Sequence, residues 1–375
     1  MRKNLFVRSI AAVSGIVMLA SLAACGDNTS SAGNNSGSTS TEKITGSFSG
    51  AGATSQQAAE EAWISAYMAA NSGANVTYNP TGSGAGVTTF LSGATAWAGS
   101  DKALSDDEVT QSSDKACANG TTAFDVPVYI SPIAIIFNLK GVSDAGKHIN
   151  LDADTAAKIF DGKIVKWNDP AIADQNKDLK LPDTAITVVH RSDKSGTTQN
   201  FVSYFKDVTP DNWTYDLSEN WPNEVGQGAK GTSGVISTVK QADGTIGYAD
   251  FSQVGDLGTV AVKVGDKYNE ISAEAGSKVI GDSKQDDTVK GDNRIVIKIN
   301  HATEAEGAYP IVLVSYDIVC PAYKDTKQAE FAKAWLTYVT SDEGQKAAQD
   351  AAGTAPLPSS LKSEITKSIE AIKTK

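Results

Sequence analysis

Residues 186–206 read Ile-Thr-Val-Val-His-Arg-Ser-Asp-Lys-Ser-Gly-Thr-Thr-Gln-Asn-Phe-Val-Ser-Tyr-Phe-Lys, and three signals follow one another along them. Ile186–His190 is rich in β-branched residues and has the character of a strand. Arg191–Thr197 is small, hydroxylated and charged, which suits a turn. The spacing that follows predicts a helix over Thr198–Lys206, carrying Phe201. A strand that turns at once into a helix is the building unit of an α/β protein.

Two upstream segments repeat the design. Gly50-Ala51-Gly52-Ala53-Thr54-Ser55 leads into a helix over Gln56–Asn71, where Trp63, Ala66, Tyr67 and Ala70 take the i, i+3, i+4, i+7 positions of one face. Gly82-Ser83-Gly84-Ala85-Gly86 leads into a helix with Val87, Phe90 and Leu91. A helix start presents unpaired N–H groups and the positive end of its dipole, so it suits an anion. Glycine lets a ligand approach the backbone, and Ser or Thr adds a hydroxyl donor. Each segment alone reads first as an ordinary N-cap. Arg191 makes the set more telling, because its guanidinium is a fork of donors matched to a tetrahedral oxyanion. Asp193 either pairs with that guanidinium and orients it or serves only the turn.

Working outward, strand-like and helix-like stretches alternate through most of the chain. Val76-Thr77-Tyr78 reads as a short strand, and Ser105 with Glu108 as a capping box before a helix. Val126, Val128 and Ile130 alternate, while Ile133–Leu139 is a nearly continuous apolar run, as in a strand buried on both faces. Pro127 and Pro132 interrupt this region and are expected to mark a change of sheet. Further strands are expected at Ile186–His190, Ile295–Ile299 and Ile311–Val319. A helix is expected at Glu330–Thr340, with Phe331, Trp335, Tyr338 and Val339 on one face. Leu361, Ile365, Ile369 and Ile372 lie along a closing polar helix. No internal repeat is present.

The 375 residues suit two or three domains. Lys plus Arg is 33 against 44 for Asp plus Glu, a formal net charge of −11. That balance argues against nucleic acid as a partner, since such proteins present a basic face. It also gives no general pull on anions, so an anionic ligand must be held by local groups. Three Cys and three His, widely scattered, exclude a zinc ribbon or a disulfide-dense mini-protein.

Residues 1–24 read as a secretory signal. Arg2, Lys3 and Arg8 precede the apolar stretch Ile10–Leu19, which is too short to span a bilayer. The ending Leu22-Ala23-Ala24-Cys25 resembles the lipobox of bacterial lipoproteins, whose cleavage leaves Cys25 as a lipidated N-terminus. A plain signal peptide containing Cys is the other reading. Residues 25–44 are expected to be a flexible Gly/Ser/Asn-rich tether. Loss of residues 1–24 removes three bases and no acid, taking the charge from −11 to −14. Cys117 and Cys320 then remain, in an exported and potentially oxidising setting. They are either two buried thiols or a disulfide; the setting favours the bond, worth roughly 5 kcal/mol in the chain-entropy model.

Several motifs, in this order, resemble one family: Gly50–Ser55, Gly82-Ser83-Gly84, Gly99-Ser100-Asp101, Gly162–Asp169, His190–Thr198, Gly244–Tyr248 and Tyr309-Pro310-Ile311. The chain from about residue 46 onward is similar to the phosphate-binding proteins of the high-affinity phosphate ABC importers. The resemblance implies a two-lobe periplasmic-binding-protein fold of type II, an α/β architecture with two hinge crossovers and the ligand in the interlobe cleft. Residues 45–131 and 311–375 would form lobe I, and residues 132–310 lobe II, with both remaining cysteines on lobe I. It implies phosphate held by the Thr54 hydroxyl, the Ser55 amide, the Ser83 hydroxyl, Arg191, and the helix-start donors of Ser195, Gly196 and Thr197. The family often has an aromatic residue at the Ser55 position, a change that a backbone contact survives. Asp101 would accept the proton that phosphate retains near neutral pH. Sulfate has no such proton and would leave the carboxylate facing like charge, a cost of ~1–3 kcal/mol or more. Asp101 would thus select by rejection.

The partners implied are inorganic phosphate and the transmembrane permease subunits of an ABC importer with its cytoplasmic ATPase. The chain would be a monomer held at the outer face of the cytoplasmic membrane by its lipid alone, with no catalysis, cofactor or metal. A receptor for sulfate or molybdate and a secreted phosphoesterase are the alternatives. Gly226-Gln227-Gly228-Ala229-Lys230-Gly231 matches G-x-G-x-x-G, but no apolar strand precedes it, so it reads as a flexible loop. His190 beside Ser195 reads as a strand-end residue, because no nucleophile elbow or Walker motif accompanies it. His148 and His301 lack partners at metal-ligand spacing.

Overall fold

A computed structural model describes residues 43–143 and 148–374. The expected leader, Cys25 and the expected tether up to residue 42 lie outside the described residues. The chain begins with β1 (Gly46–Gly52), α1 (Gln57–Ala70), β2 (Ala74–Pro80), α2 (Ser83–Leu91), β3 (Trp97–Ser100), α3 (Asp106–Lys115) and β4 (Phe124–Asn138). It continues through β5 (Ile149–Leu151), α4 (Ala153–Phe160), α5 (Pro170–Ala173), β6 (Thr187–Arg191), α6 (Gly196–Val208), β7 (Gln227–Ala229), α7 (Gly231–Gln241), β8 (Thr245–Asp250) and β9 (Gly258–Val264). It ends with β10 (Lys267–Asn269), α8 (Ala273–Gly281), β11 (Lys284–Gln285), β12 (Ile297–Lys298), β13 (Val312–Val319), α9 (Thr326–Val339), α10 (Asp342–Ala352) and α11 (Lys362–Glu370).

The main sheet runs β2-β1-β3-β13-β4-β8-β6-β7, and β9 joins it at β4 while pairing with β5 and β10. Strand β4 holds the two halves together. Its residues Phe124–Pro132 pair with β13, and from Ile133 it pairs with β8. The strand is therefore unbroken through both prolines. Pro132, which has no N–H to give to a ladder, is the last residue of the first pairing, so the sheet partner changes there. Pro127 lies opposite Tyr316, where the register of β13 shifts by a bulge.

Aromatic side chains fill the two halves. Trp63, Trp97 and Trp335 are fully buried beside Tyr67 and Phe331 in one half, and Phe160, Phe201, Phe205, Trp213 and Tyr248 fill the other. Phe201 and Tyr248 stack at 4.3 Å. Burial of each such ring is worth roughly 1.5–3 kcal/mol. Cys117 and Cys320 are joined by a disulfide with a Cα–Cα distance of 5.3 Å. It ties the end of α3 to the end of β13 inside a cluster with Val87, Phe90 and Ile318.

Three local expectations are corrected. The inward face of α1 is Ala59, Glu60, Trp63 and Tyr67, whereas Ala70 is exposed. Glu60 is buried among them, and the Trp97 indole donates to its Oε1 at 3.2 Å. The stretch 226–231 is no flexible loop: β7 pairs in parallel with β6 through Val189–Arg191, and α7 starts at Gly231. The expected strand over Ile295–Ile299 shrinks to β12. Arg294 is drawn into an ion pair with Asp125 (Nε–Oδ2 2.6 Å), and the Ile297 amide donates to the Tyr316 hydroxyl, leaving only Ile297 and Lys298 paired with β11. This segment thus packs against Asp125 and Leu104, on the side of the chain's earlier residues.

Candidate functional site

The strand-turn-helix units converge at one place. β1, β3 and β6 end at Gly52, Ser100 and Arg191, and α1, α2 and α6 begin close by. Ligands of α/β sheets bind outside the carboxyl ends of strands, where helix starts point their amides. Gly82 turns into α2 at φ +99, and a Cβ there would lie 2.5 Å from Asp193 Oδ2 and 3.4 Å from Arg191 Nη2. The second and third turns are therefore in contact through a glycine.

Asp101 is the centre, 2% exposed. Its Oδ2 accepts hydrogen bonds from Ser55 Oγ at 2.5 Å and Thr197 Oγ1 at 2.7 Å. Its Oδ1 accepts one from Ser315 Oγ at 2.7 Å. The Asp101 amide donates to Ser83 Oγ at 3.2 Å. Burial pushes this carboxyl above its usual range, while the three hydroxyls and the positive field of Arg191 pull the other way.

Arg191 is also buried. Asp193 grips it from the side, with Nε–Oδ1 at 2.8 Å and Nη2–Oδ2 at 2.6 Å. This fork-to-fork pairing fixes the guanidinium plane. Burial acts to raise the Asp193 carboxyl, but the Arg191 bonds outweigh it and hold the group below its ordinary value. Ser195 caps α6: its Oγ accepts from the Thr198 amide at 3.2 Å, and its own amide donates to Glu219 O at 3.0 Å. The Ser195 backbone is thus committed, whereas its hydroxyl proton is not. The amides of Gly196 and Thr197 stand in the first turn of α6, where no carbonyl of that helix can reach them. Thr54 completes the set, its Oγ1 lying 2.9 Å from Thr232 Oγ1.

All eight residues expected around the ligand, with Asp193 behind them, are thus brought into one buried cluster. Sequence reasoning missed five contributors. Ser315 lies in β13 beside Tyr316 and Asp317, and nothing local in that run marks it out. Gln56 donates to Ser315 Oγ at 2.8 Å and so supports it from behind. Asn200 reaches across from α6 to Asp101 O at 2.6 Å. Thr232 and Gln253 both hold Thr54, the latter through the Thr54 carbonyl at 2.8 Å. The Asn200, Thr232 and Gln253 links, with the Lys102–Glu219 ion pair at 3.7 Å, join residues before 132 to residues between 132 and 310, so these two stretches are in contact across the cluster.

Two distractors resolve simply. His190 stacks on Trp221 at 5.0 Å, and its Nδ1 lies 3.0 Å from Arg191 O, so it is not aligned on Ser195. Among the described residues no group of three or more His, Cys, Asp or Glu is placed to hold a metal, and no helix is long and apolar enough to cross a membrane.

Residues 37–343 match the family model described as the PBP superfamily domain. Phosphate-binding protein PstS2 of Mycobacterium bovis (strain BCG / Pasteur 1173P2) is 36% identical over 382 residues, covering 98% of this chain and 99% of that one. The chain belongs to the phosphate-binding protein family. A second member, phosphate-binding protein PstS 3 of Mycobacterium tuberculosis (strain ATCC 25618 / H37Rv), is 33% identical over 94% of this chain and 95% of its own. Among solved structures, the high-affinity periplasmic phosphate-binding protein PfluDING, bound with phosphate at pH 8.5, superposes with a TM-score of 0.69 at 21% identity, over 86% of this chain and 93% of that one. The fold is therefore the two-lobe periplasmic-binding fold, and the relatives it matches are phosphate-binding proteins.

Proposed function

We propose that this chain is an extracytoplasmic receptor that encloses inorganic phosphate between its lobes and delivers it to the permease of an ABC importer. Residues 45–131 with 311–375 form one lobe and residues 132–310 the other; β4 and the entry to β13 are the two crossovers. Phosphate lies among Thr54, Ser55, Ser83, Asp101, Arg191, Ser195, Gly196 and Thr197. Arg191 supplies charge, the hydroxyls and the α6 amides supply donors, and Asp101 accepts the proton the ligand retains. The receptor works as a monomer, tethered by lipid at Cys25 to the outer face of the cytoplasmic membrane, beside permease subunits served by a cytoplasmic ATPase.

One observation carries this reading. A buried carboxylate, an acceptor only when ionised, shares a cluster with a buried guanidinium and a ring of hydroxyls. A fully ionised anion gains nothing from that acceptor, whereas a protonated oxyanion satisfies it. Titration calorimetry with phosphate, arsenate and sulfate tests it. The expected result is tight binding of phosphate, binding of arsenate, and weak or no binding of sulfate. Preference for sulfate would overturn the reading, as would absence of phosphate binding.

A further inference from the structure

The first turn of α7 enters the cluster from a direction the sequence motifs do not mark. Thr232, 1% exposed, places two groups on one atom. Its amide donates to Thr54 Oγ1 at 3.0 Å, and its hydroxyl oxygen lies 2.9 Å from the same Oγ1. The preceding amide, Gly231, donates to Asp193 Oδ1 at 3.0 Å, the oxygen that also accepts Arg191 Nε. Gly231 has φ +70, and a Cβ there would sit 3.3 Å from Thr54 Cγ2, so α7 approaches Thr54 as closely as a glycine allows. One helix start therefore braces both a hydroxyl donor and the carboxylate that orients the guanidinium.

A threonine hydroxyl has one proton and two acceptor lone pairs. The Thr232 amide occupies one lone pair of Thr54 Oγ1. When the Thr232 hydroxyl donates as well, both lone pairs are filled, and Thr54 can present only its proton to the cleft. When Thr54 donates to Thr232 instead, its proton is spent. An anion in the cleft accepts and so favours the first arrangement.

We propose that Thr232 is a positioning residue for the anion site, filling the acceptor side of Thr54 Oγ1 so that this hydroxyl faces the ligand as a pure donor. The inference rests on the reading that Thr54 contacts phosphate. Thr54 and Thr232 also lie on opposite sides of the cleft, so the pair forms only when the cleft is shut and slows ligand escape.

Calorimetry and stopped-flow measurements on Thr232→Val, Thr232→Ser, Thr54→Val and the Thr54→Val/Thr232→Val double variant test it. Valine keeps the shape and the amide and removes only the hydroxyl. Thr232→Val should weaken phosphate about tenfold, mostly through faster dissociation, and Thr232→Ser should restore binding. In the Thr54→Val background the Thr232→Val change should cost nothing further, which a merely structural role does not produce. Wild-type affinity in Thr232→Val, or an equal loss with and without the Thr54 hydroxyl, would overturn the inference while leaving the phosphate reading intact. A wild-type protein that binds no phosphate would overturn both.

Discussion

At the scale of single residues, selectivity follows from counting lone pairs. An ionised carboxylate has about four acceptor positions, and Ser55, Thr197 and Ser315 take three of those on Asp101. On the function proposed, the position left over would suit a protonated oxyanion and penalise sulfate. Ser55 sharpens the point, because its side chain is committed to Asp101. Asp101→Asn replaces one acceptor oxygen by a donor. The phosphate-to-sulfate affinity ratio should then fall about tenfold or more, through better sulfate binding as well as weaker phosphate binding. Calorimetry with both anions measures it; an unchanged ratio would show that Asp101 does not discriminate. The residues that this depends on were unequally legible. Thr54, Ser83, Asp101 and the 191–197 turn stand in glycine- and hydroxyl-rich turns that announce themselves. Ser315 and Gln56 sit within a strand and at a helix start, where only long-range contact gives them a role.

At the scale of elements, the units that read clearly were those decided by local chemistry: a strand, a turn of small residues, a helix. Elements decided by distant partners did not. Gln227–Ala229 has no apolar pattern, and only the β6 backbone makes it a strand. The segment around Ile297 has the pattern, but the buried Arg294–Asp125 pair takes its backbone elsewhere. The approach of α6 to the opposite side of the cleft is the element-scale feature with the clearest consequence. A Cβ on Gly196 would lie 2.8 Å from both the Asp101 carbonyl carbon and the Lys102 amide nitrogen. These are backbone atoms, and they cannot yield as the tip of a side chain does. Gly196→Ala should therefore hold the cleft ajar and weaken phosphate by about tenfold or more, while thermal stability changes by no more than ~1 kcal/mol, since alanine suits a helix better than glycine. Calorimetry beside a thermal melt separates the two effects, and full affinity in Gly196→Ala would show that α6 does not need to come so close.

At the scale of the whole molecule, the acidic balance that disfavours anion binding turns out to say little about the site. Surface charges are screened beyond ~8–10 Å at physiological salt, and the cluster is built from dipoles, hydroxyls and one paired guanidinium. Sheet order was not legible in the sequence, because pairings such as β13 with β4 join residues nearly two hundred positions apart. Acidity does leave a mark inside the protein. Glu60, Asp101, Asp250 and Asp317 are all buried without a directly bonded cation. Burial, reinforced by Asp317, pushes Glu60 well above the carboxylate range. Burial likewise lifts Asp317 and Asp250 to about 7, against the donor bonds of Trp335 and Ser252 respectively. A carboxyl whose pKa is higher folded than unfolded binds more protons in the folded state. Stability from these groups is thus greatest below the unfolded value of about 4 and falls as pH rises toward 7. Asp317→Asn removes one member of the Glu60–Asp317 pair and keeps an oxygen for the Trp335 indole, which donates at 3.1 Å. Its melting temperature should match the wild type near pH 4 and exceed it by about 3 °C or more at pH 8. Melts across that range by calorimetry decide the matter: parallel curves for the two proteins would mean that Asp317 binds no more protons folded than unfolded, and that burial does not raise it.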